Sequence, residues 1–120
     1  NAVDDARIFQ KYVGAGVDST LTKRKTALDS TKNQFVMYKW NLAFLPYSSC
    51  SAGFTWSASE KRGRTDTPYL QSVFDPDYCT DFNGHGVGLA GKWATALANK
   101  WLKYHEIINY YYSWTTLETL

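Results

Sequence analysis

The segment Asn83-Gly84-His85-Gly86-Val87-Gly88-Leu89 constrains the fold of this chain more than any other stretch. Three glycines alternate with a histidine and a valine, and a helical pattern begins directly after them. Glycines at this spacing let one backbone approach another backbone, or a ligand, where a Cβ atom would collide. The segment therefore predicts a tight turn that brings His85, an uncharged donor and acceptor near neutral pH, to the start of a helix.

The size and charge of the chain exclude several classes of function. Its 120 residues suffice for one domain with a modest core. The formal net charge is +2, and the only basic run is Lys23-Arg24-Lys25, so no nucleic-acid partner is expected. No stretch approaches the roughly 20 apolar residues of a membrane span, so none is expected. Aromatic residues make up 17% of the chain, which suits a thick core, a sugar-stacking surface or an oligomer contact.

The first half of the chain predicts a strand, a helix and a hairpin. Residues 8–13 alternate as a strand does, and glycines follow them. A polar helix is expected from about Leu21 to Thr31, with Leu21, Ala27 and Leu28 on its buried side. Residues 35–38 and 42–45 predict the two strands of a hairpin, with 39–41 as its turn.

The second half predicts loops followed by two helices. The hydroxyl-rich residues 47–55 are expected to form a loop or a strand facing a cleft, because each buried hydroxyl needs a partner. Residues 60–67 read as a charged loop and 68–74 as an extended segment. Apolar residues then recur at steps of four from Leu89 to Trp101, and a second helix is expected over 104–112. The order of elements indicates a single α+β domain with short strands, a hairpin, extended loops and two C-terminal helices.

The sequence alone allows three interpretations of Cys50 and Cys79. In a secreted protein they would form a disulfide, and in a cytosolic protein two free thiols. With His85 and His105 they would also make a tetrahedral zinc set, although the spacings match no compact zinc signature.

Two further chemistries rest on weaker patterns. Ser49 or Ser51 could serve as a nucleophile with His85 as the base, but the chain contains no G-x-S-x-G turn. Carboxylate catalysis on sugars would need a glutamate in a cleft. The glutamates available to it are Glu60, Glu106 and Glu118.

Four segments, taken in order, resemble the stage II sporulation protein D family, which includes the amidase-enhancer proteins. They cover about residues 7 to 117. The segments are the stretch from Ala27 through Thr31, Gln34, Val36 and Tyr38; Ala43-Phe44 with Tyr47 to Thr55; Pro68 to Val73 with Asp75-Pro76; and Gly84 to Leu89, continued through Ala94, Leu97, Ala98, Tyr104, Glu106 to Ile108, Tyr111-Tyr112, Thr115 and Leu117.

The resemblance implies an extracytoplasmic protein, in the cell envelope or secreted, that acts on peptidoglycan. The best-understood members are lytic transglycosylases that cut glycan strands stripped of stem peptides, and others bind the wall and stimulate an amidase. Glycan strands, and an amidase or another envelope protein, are the implied partners. The family's catalytic glutamate precedes the matched segments and maps to no position here. Residues 1–120 are therefore expected to be the C-terminal part of such a domain, which leaves open whether it is an enzyme.

The resemblance also assigns candidate site residues. It favours a disulfide between Cys50 and Cys79 and no cofactor, with zinc as the alternative. One groove for glycan is predicted, with His85 as a polar contact or proton partner and the two serines as hydrogen-bond donors to sugar. The groove residues are Tyr47, Ser48, Ser49, Gly53, Gly84, His85 and Gly86. The competing hypothesis is a non-catalytic assembly protein that uses the aromatic stretch Tyr110 to Trp114.

Overall fold

A computed structural model describes residues 22–76, residue 79 and residues 84–120. The chain divides into two units, Asn1–Gln34 and Phe35–Leu120. The strand expected over residues 8–13 lies outside the described residues. The elements are mixed, which confirms the predicted α+β class. They are α1 (Thr22–Ser30), β1 (Gln34–Tyr38), β2 (Asn41–Leu42), β3 (Tyr47–Ser48), α2 (Ala58–Arg62), β4 (Leu89–Ala90), α3 (Gly91–Asn99), α4 (Tyr104–Tyr111) and β5 (Thr116–Thr119).

Helix α1, in the first unit, confirms the predicted helix but not its predicted buried side. No residue of α1 is buried, Ala27 is exposed, and Leu28 is 65% exposed. The reason lies in the pattern: Ala27 and Leu28 are adjacent and the other seven positions are polar, so no apolar stripe forms. Leu21, the third residue expected to be buried, lies outside the described residues.

In the second unit, β1 and β2 form the predicted hairpin with a shorter turn. The strands run antiparallel, with Met37 opposite Leu42 and Tyr38 opposite Asn41. The turn is therefore Lys39-Trp40 alone, and both residues have positive φ, 50° and 76°. Such angles fit the right-handed twist of a two-residue hairpin, although glycine or asparagine normally supplies them. β1 is the central strand of a three-stranded sheet in the order β2-β1-β5.

Residues 58–62 form helix α2, so the prediction of a charged loop over 60–67 is wrong in its first part. Ser57 caps the helix by accepting a hydrogen bond from the Glu60 amide, and the Glu60 carboxylate accepts from the Ser57 amide. Gly63 ends the helix in the left-handed conformation at φ 64°. The sequence carries this capping box as Ser57-x-x-Glu60. The segment was nevertheless assigned to a loop because it contains many charged residues.

The hydroxyl-rich segment enters the core, contrary to expectation. Ser51 and Thr55 are 0% and 1% exposed. Each hydroxyl has two partners: Ser51 Oγ bonds the carbonyl of Asp75 and the amide of Gly53, and Thr55 Oγ1 bonds the carbonyl of Gln71 and the amide of Val73. The physical objection to burying hydroxyls is thereby met, because the neighbouring extended segment supplies backbone groups at each position.

The glycine run leads into strand β4, and the two C-terminal helices follow that strand. Helix α3 begins only at Gly91, because Leu89 and Ala90 pair as β4. Leu97 is buried as expected, whereas Trp101 lies beyond the helix and is 92% exposed. Helix α4 matches the prediction closely and buries Ile107 and Tyr111. Together these elements enclose one hydrophobic cluster, formed by Ala58, Tyr69, Leu70, Val87, Ala90, Leu97, Ile107, Tyr111 and Tyr112.

Candidate functional site

The glycine run leads into a parallel strand pair. β3 and β4 align Tyr47 with Leu89 and Ser48 with Ala90. The approach is closest at Gly88, where an added Cβ atom would lie 2.0 Å from the carbonyl oxygen of Pro46 and φ is +79°. Only glycine fits there, because the two backbones would otherwise collide. The predicted purpose of the glycine spacing, close backbone approach, is confirmed at this position.

Two tyrosines of the C-terminal helical region form hydrogen bonds with the backbone of the same strand pair. The Tyr112 hydroxyl donates to the carbonyl of Pro46 at 2.7 Å and accepts from the amide of Leu89 at 3.3 Å. Tyr111 donates to the carbonyl of Ala90 at 3.3 Å. Burial raises the pKa of Tyr112 to about 12 and raises the pKa of Tyr111 further, so both hydroxyls remain protonated donors.

The structure also brings together the two segments that were predicted to line the groove, those of Ser48 and Gly84. An added Cβ at Gly84 would lie 3.6 Å from Cβ of Ser48, so these residues are neighbours across the site. Gly84 and Ser49 are exposed, and Tyr47 is 52% exposed. Ser48 Oγ donates to the carbonyl of Cys50 at 3.2 Å. That hydroxyl therefore offers a lone pair rather than a proton, whereas Ser49 presents its hydroxyl at the surface.

His85 lies half-buried between the two segments. Its Nδ1 accepts a hydrogen bond from the amide of Val87 at 3.0 Å, which in the neutral ring puts the proton on Nε2. Burial, then the positive charge of Arg62, lowers the pKa of His85, while a hydrogen bond with the backbone of Tyr47 acts in the opposite sense. The imidazole is thus neutral near neutral pH and tied to backbone on both sides. This geometry favours a positioning role over that of a general base.

The other two glycines predicted for the groove lie deeper or to one side. Gly86 is buried, and its carbonyl accepts a hydrogen bond from the amide of Trp56 at 2.8 Å. Gly53 accepts from the amide of Asp75 at 3.0 Å. Gly86 is therefore joined by its backbone to the segment of Trp56, and Gly53 belongs to the neighbouring pair of extended segments.

Cys50 and Cys79 form a disulfide, with their Cα atoms 5.9 Å apart. Neither sulfur is a thiolate in this form, so the four-residue zinc set is not assembled in this structure. A disulfide is compatible with a secreted or extracytoplasmic protein, where oxidising conditions preserve it. The amide of Cys79 also donates to the carbonyl of Ser51, so the bridge continues a backbone contact between the two segments.

The candidate nucleophiles and acids are mostly engaged elsewhere. Ser51 is fully buried with its hydroxyl bonded, which removes it as a nucleophile. Glu60 caps α2, and the Glu106 carboxylate accepts from the amide of Lys103 at 2.6 Å at the start of α4. Glu118 is exposed on β5. Among the described residues, the carboxylates of Glu60 and Glu106 bond helix-start amides and Glu118 is exposed on β5, so they do not assemble a glutamate-centred sugar chemistry at the glycine run.

A small cavity of about 60 Å³ lies beside His85. Carbon-rich walls surround it, formed by Phe44, Pro46, Ala58, Leu70 and Val87. Arg62, Arg64 and His85 complete the lining. The guanidinium of Arg64 lies 5.5 Å from the centre of the Phe44 ring and makes two hydrogen bonds to Asp66, at 3.0 and 2.7 Å. Sequence reasoning missed both arginines, since a charged residue after a short helix carries no signal of a cavity.

The aromatic stretch of the competing hypothesis is largely internal. Tyr111 and Tyr112 are 0% and 3% exposed, and the Tyr110 hydroxyl bonds the carbonyl of Phe74. Only Trp114, at 70% exposure, stands clear of the surface. A continuous four-residue aromatic docking surface is therefore not formed here.

In the part of the chain that the structure describes, no helix has the length and apolar character required to cross a membrane. Comparisons with protein-family models and with curated proteins give no match for this chain. A fold class alone does not specify a function, which depends instead on the residues of the site.

Proposed function

We propose that this protein is an extracytoplasmic peptidoglycan-binding domain that holds a glycan strand against the surface formed by Tyr47, Ser48, Ser49, Gly84 and His85. The observation that carries the proposal is the proximity of Ser48 and Gly84, which places two segments far apart in the sequence side by side, next to a half-exposed tyrosine. An aromatic ring beside hydroxyls and backbone polar groups suits a saccharide, which has both apolar C–H faces and hydroxyls.

Each residue has a defined part in this binding. The ring of Tyr47 stacks on a sugar face, and the exposed Ser49 hydroxyl donates to a sugar oxygen. Ser48 accepts a hydrogen bond from the sugar, since its own proton is used by the Cys50 carbonyl. The absence of a side chain at Gly84 leaves the strand room to lie close to the backbone. His85 keeps Tyr47 and the glycine run in register.

Binding is measured with the full chain and purified glycan strands freed of stem peptides. We expect Tyr47→Ala to lower the affinity about tenfold, because the stacking surface is lost. Trp114→Ala is the matched control, since it removes an exposed aromatic ring outside the site and should bind as the wild type does. Equal affinity of wild type and Tyr47→Ala, or loss of binding only in Trp114→Ala, contradicts the proposal.

The same incubation separates binding from cleavage. Release of anhydro-sugar products, detected by mass spectrometry, would identify a lytic transglycosylase. Retention of strands without product indicates a binding domain, which is the outcome that the present geometry favours, because the described glutamates at 60 and 106 are occupied as helix caps. An added amidase, assayed with and without this protein, tests the stimulating role.

A further inference from the structure

The cavity beside His85 has one uncompensated positive charge. Arg64 also lines it, but Asp66 pairs with that guanidinium through two hydrogen bonds, and the lowered pKa of His85 keeps the imidazole neutral. Among the described residues, the guanidinium of Arg62 makes neither a hydrogen bond nor an ion pair. The lining of the cavity therefore combines a single free guanidinium with carbon-rich walls.

The dimensions and walls of the cavity restrict what can enter. About 60 Å³ admits a side group of a few non-hydrogen atoms, and not a sugar ring. Phe44, Leu70 and Val87 present carbon to such a group, which favours a short aliphatic stem. A singly charged, planar group at the end of that stem matches one guanidinium, which binds carboxylates through two parallel hydrogen bonds.

The cavity also adjoins the surface on which we place the glycan. His85 lines the cavity and directly follows Gly84, the neighbour of Ser48. Pro46 lines it and directly precedes Tyr47. A sugar stacked on Tyr47 therefore lies next to two residues that line the cavity, Pro46 and His85.

We infer that Arg62 and this cavity recognise the carboxylate of a lactyl ether, the acidic substituent that distinguishes muramic acid from glucosamine. This inference rests on the proposed function, since it assigns a substituent of the same glycan. Arg62 is then a specificity residue. Tyr47, Ser48 and Ser49 bind the glycan strand, and Arg62 recognises the sugars of that strand that carry a carboxylate.

The test compares two tetrasaccharides by titration calorimetry with the full chain. One is chitotetraose, which is all N-acetylglucosamine, and the other is the stem-peptide-free peptidoglycan tetrasaccharide, which carries lactyl ethers on alternate sugars. We expect the wild type to bind the acidic tetrasaccharide about tenfold or more tightly, because a charge-assisted bidentate pair forms only with that ligand. Arg62→Gln should remove the preference and leave the affinity for chitotetraose unchanged, and Arg62→Lys should retain part of it.

Arg24→Gln serves as the matched control, because it removes an exposed arginine of α1 and should keep the preference.

A second readout is independent of sugar: the imidazole signals of His85 followed by NMR. Arg62→Gln should raise the pKa of His85, since the guanidinium that opposes protonation is gone. Titration with D-lactate should shift the same signals in the wild type and not in Arg62→Gln.

The outcomes separate the two proposals. Equal binding of both tetrasaccharides leaves the glycan-binding function standing and overturns the role of Arg62. Binding of neither tetrasaccharide overturns the proposed function. If D-lactate or a short peptide with a free carboxylate then still binds through Arg62, the cavity recognises the carboxylate of some other molecule. The assignment of the lactyl ether is wrong in that case. If D-lactate binds neither protein, the site itself is refuted.

Discussion

The two strand pairs β1–β2 and β3–β4 are held together in different ways. β1 and β2 are joined by a two-residue turn; Trp40 in the turn and Leu42 in β2 are 97% and 68% exposed. β3 and β4 are far apart in the sequence, run parallel and lie over a buried tyrosine pair. The first pair is a product of neighbouring residues, whereas the second exists only because other elements bring its strands together.

The difference shows where the candidate site obtains its rigidity. Two-residue strands form few ladder hydrogen bonds, so a parallel pair of this length needs outside support. The carbonyl of Pro46 receives it by accepting from both the Leu89 amide and the Tyr112 hydroxyl. Changes at Gly88 and Tyr112 should therefore matter far more than changes in the hairpin turn.

The largest effect is expected at Gly88. Gly88→Ala should lower the free energy of unfolding by about 3 kcal/mol or more, because the new Cβ meets a backbone oxygen at 2.0 Å and φ is positive. Gly63→Ala is the control: its φ is +64° but nothing lies within 4 Å, so about 1 kcal/mol is expected. Urea unfolding monitored by tryptophan fluorescence measures both, and equal losses would disprove the special role of the Pro46 contact.

The next effect is expected at Tyr112. Tyr112→Phe should lower the free energy of unfolding by about 1–2 kcal/mol, since the part-buried Leu89 amide and Pro46 carbonyl each lose one of their partners. Tyr47→Phe removes the hydroxyl of a half-exposed residue and should change stability by less than about 0.5 kcal/mol. Thermal and urea unfolding give both values; similar losses in the two variants would mean that the hydroxyl of Tyr112 is not what stabilises β3–β4.

A smaller change of opposite sign is expected in the hairpin. Replacing Lys39-Trp40 by Asn-Gly should stabilise the protein by about 1 kcal/mol, because both positions have positive φ and Trp40 is nearly fully exposed. Trp40→Ala keeps the unfavourable backbone angle and should be close to neutral. Destabilisation by Asn-Gly in urea unfolding would show that the side chains, not the turn geometry, set the strength of this pair.

The smallest effect concerns pH and His85. Because the folded protein lowers the pKa of His85 below its ordinary 6.5, the unfolded chain binds more protons between the two values. The contribution of His85 to stability is therefore complete above the ordinary pKa and is lost as pH falls through this window. Melting temperatures from pH 8 to 5 should show a slope that His85→Gln reduces. An unchanged slope in His85→Gln contradicts this assignment.

Local patterns in the sequence were sufficient for part of this fold. The hairpin, α4 and a close backbone approach within the glycine run were predicted, because each follows from residues close together in the chain. The helix at 58–62 was missed although its Ser57-x-x-Glu60 capping box is a local signal. The burial predicted for Leu28 was wrong because a helix without an apolar stripe has nothing to bury.

What lay beyond prediction depends on contacts between distant segments. Ser51 and Thr55 are buried only because residues 71–75 supply backbone partners, which no local pattern reveals. Arg62 and Arg64 look alike in sequence, yet Asp66 neutralises one and leaves the other free at the cavity.

The sequence by itself determined the α+β class, the hairpin and the place of the glycine run before the C-terminal helices. The tertiary structure decided the parallel register of β3 with β4, the tyrosine support beneath it, the disulfide and the cavity beside His85. The physical reason is that hydrogen-bond periodicity and turn chemistry act between neighbours, whereas close backbone approach, burial of hydroxyls and charge compensation are fixed only when distant segments meet.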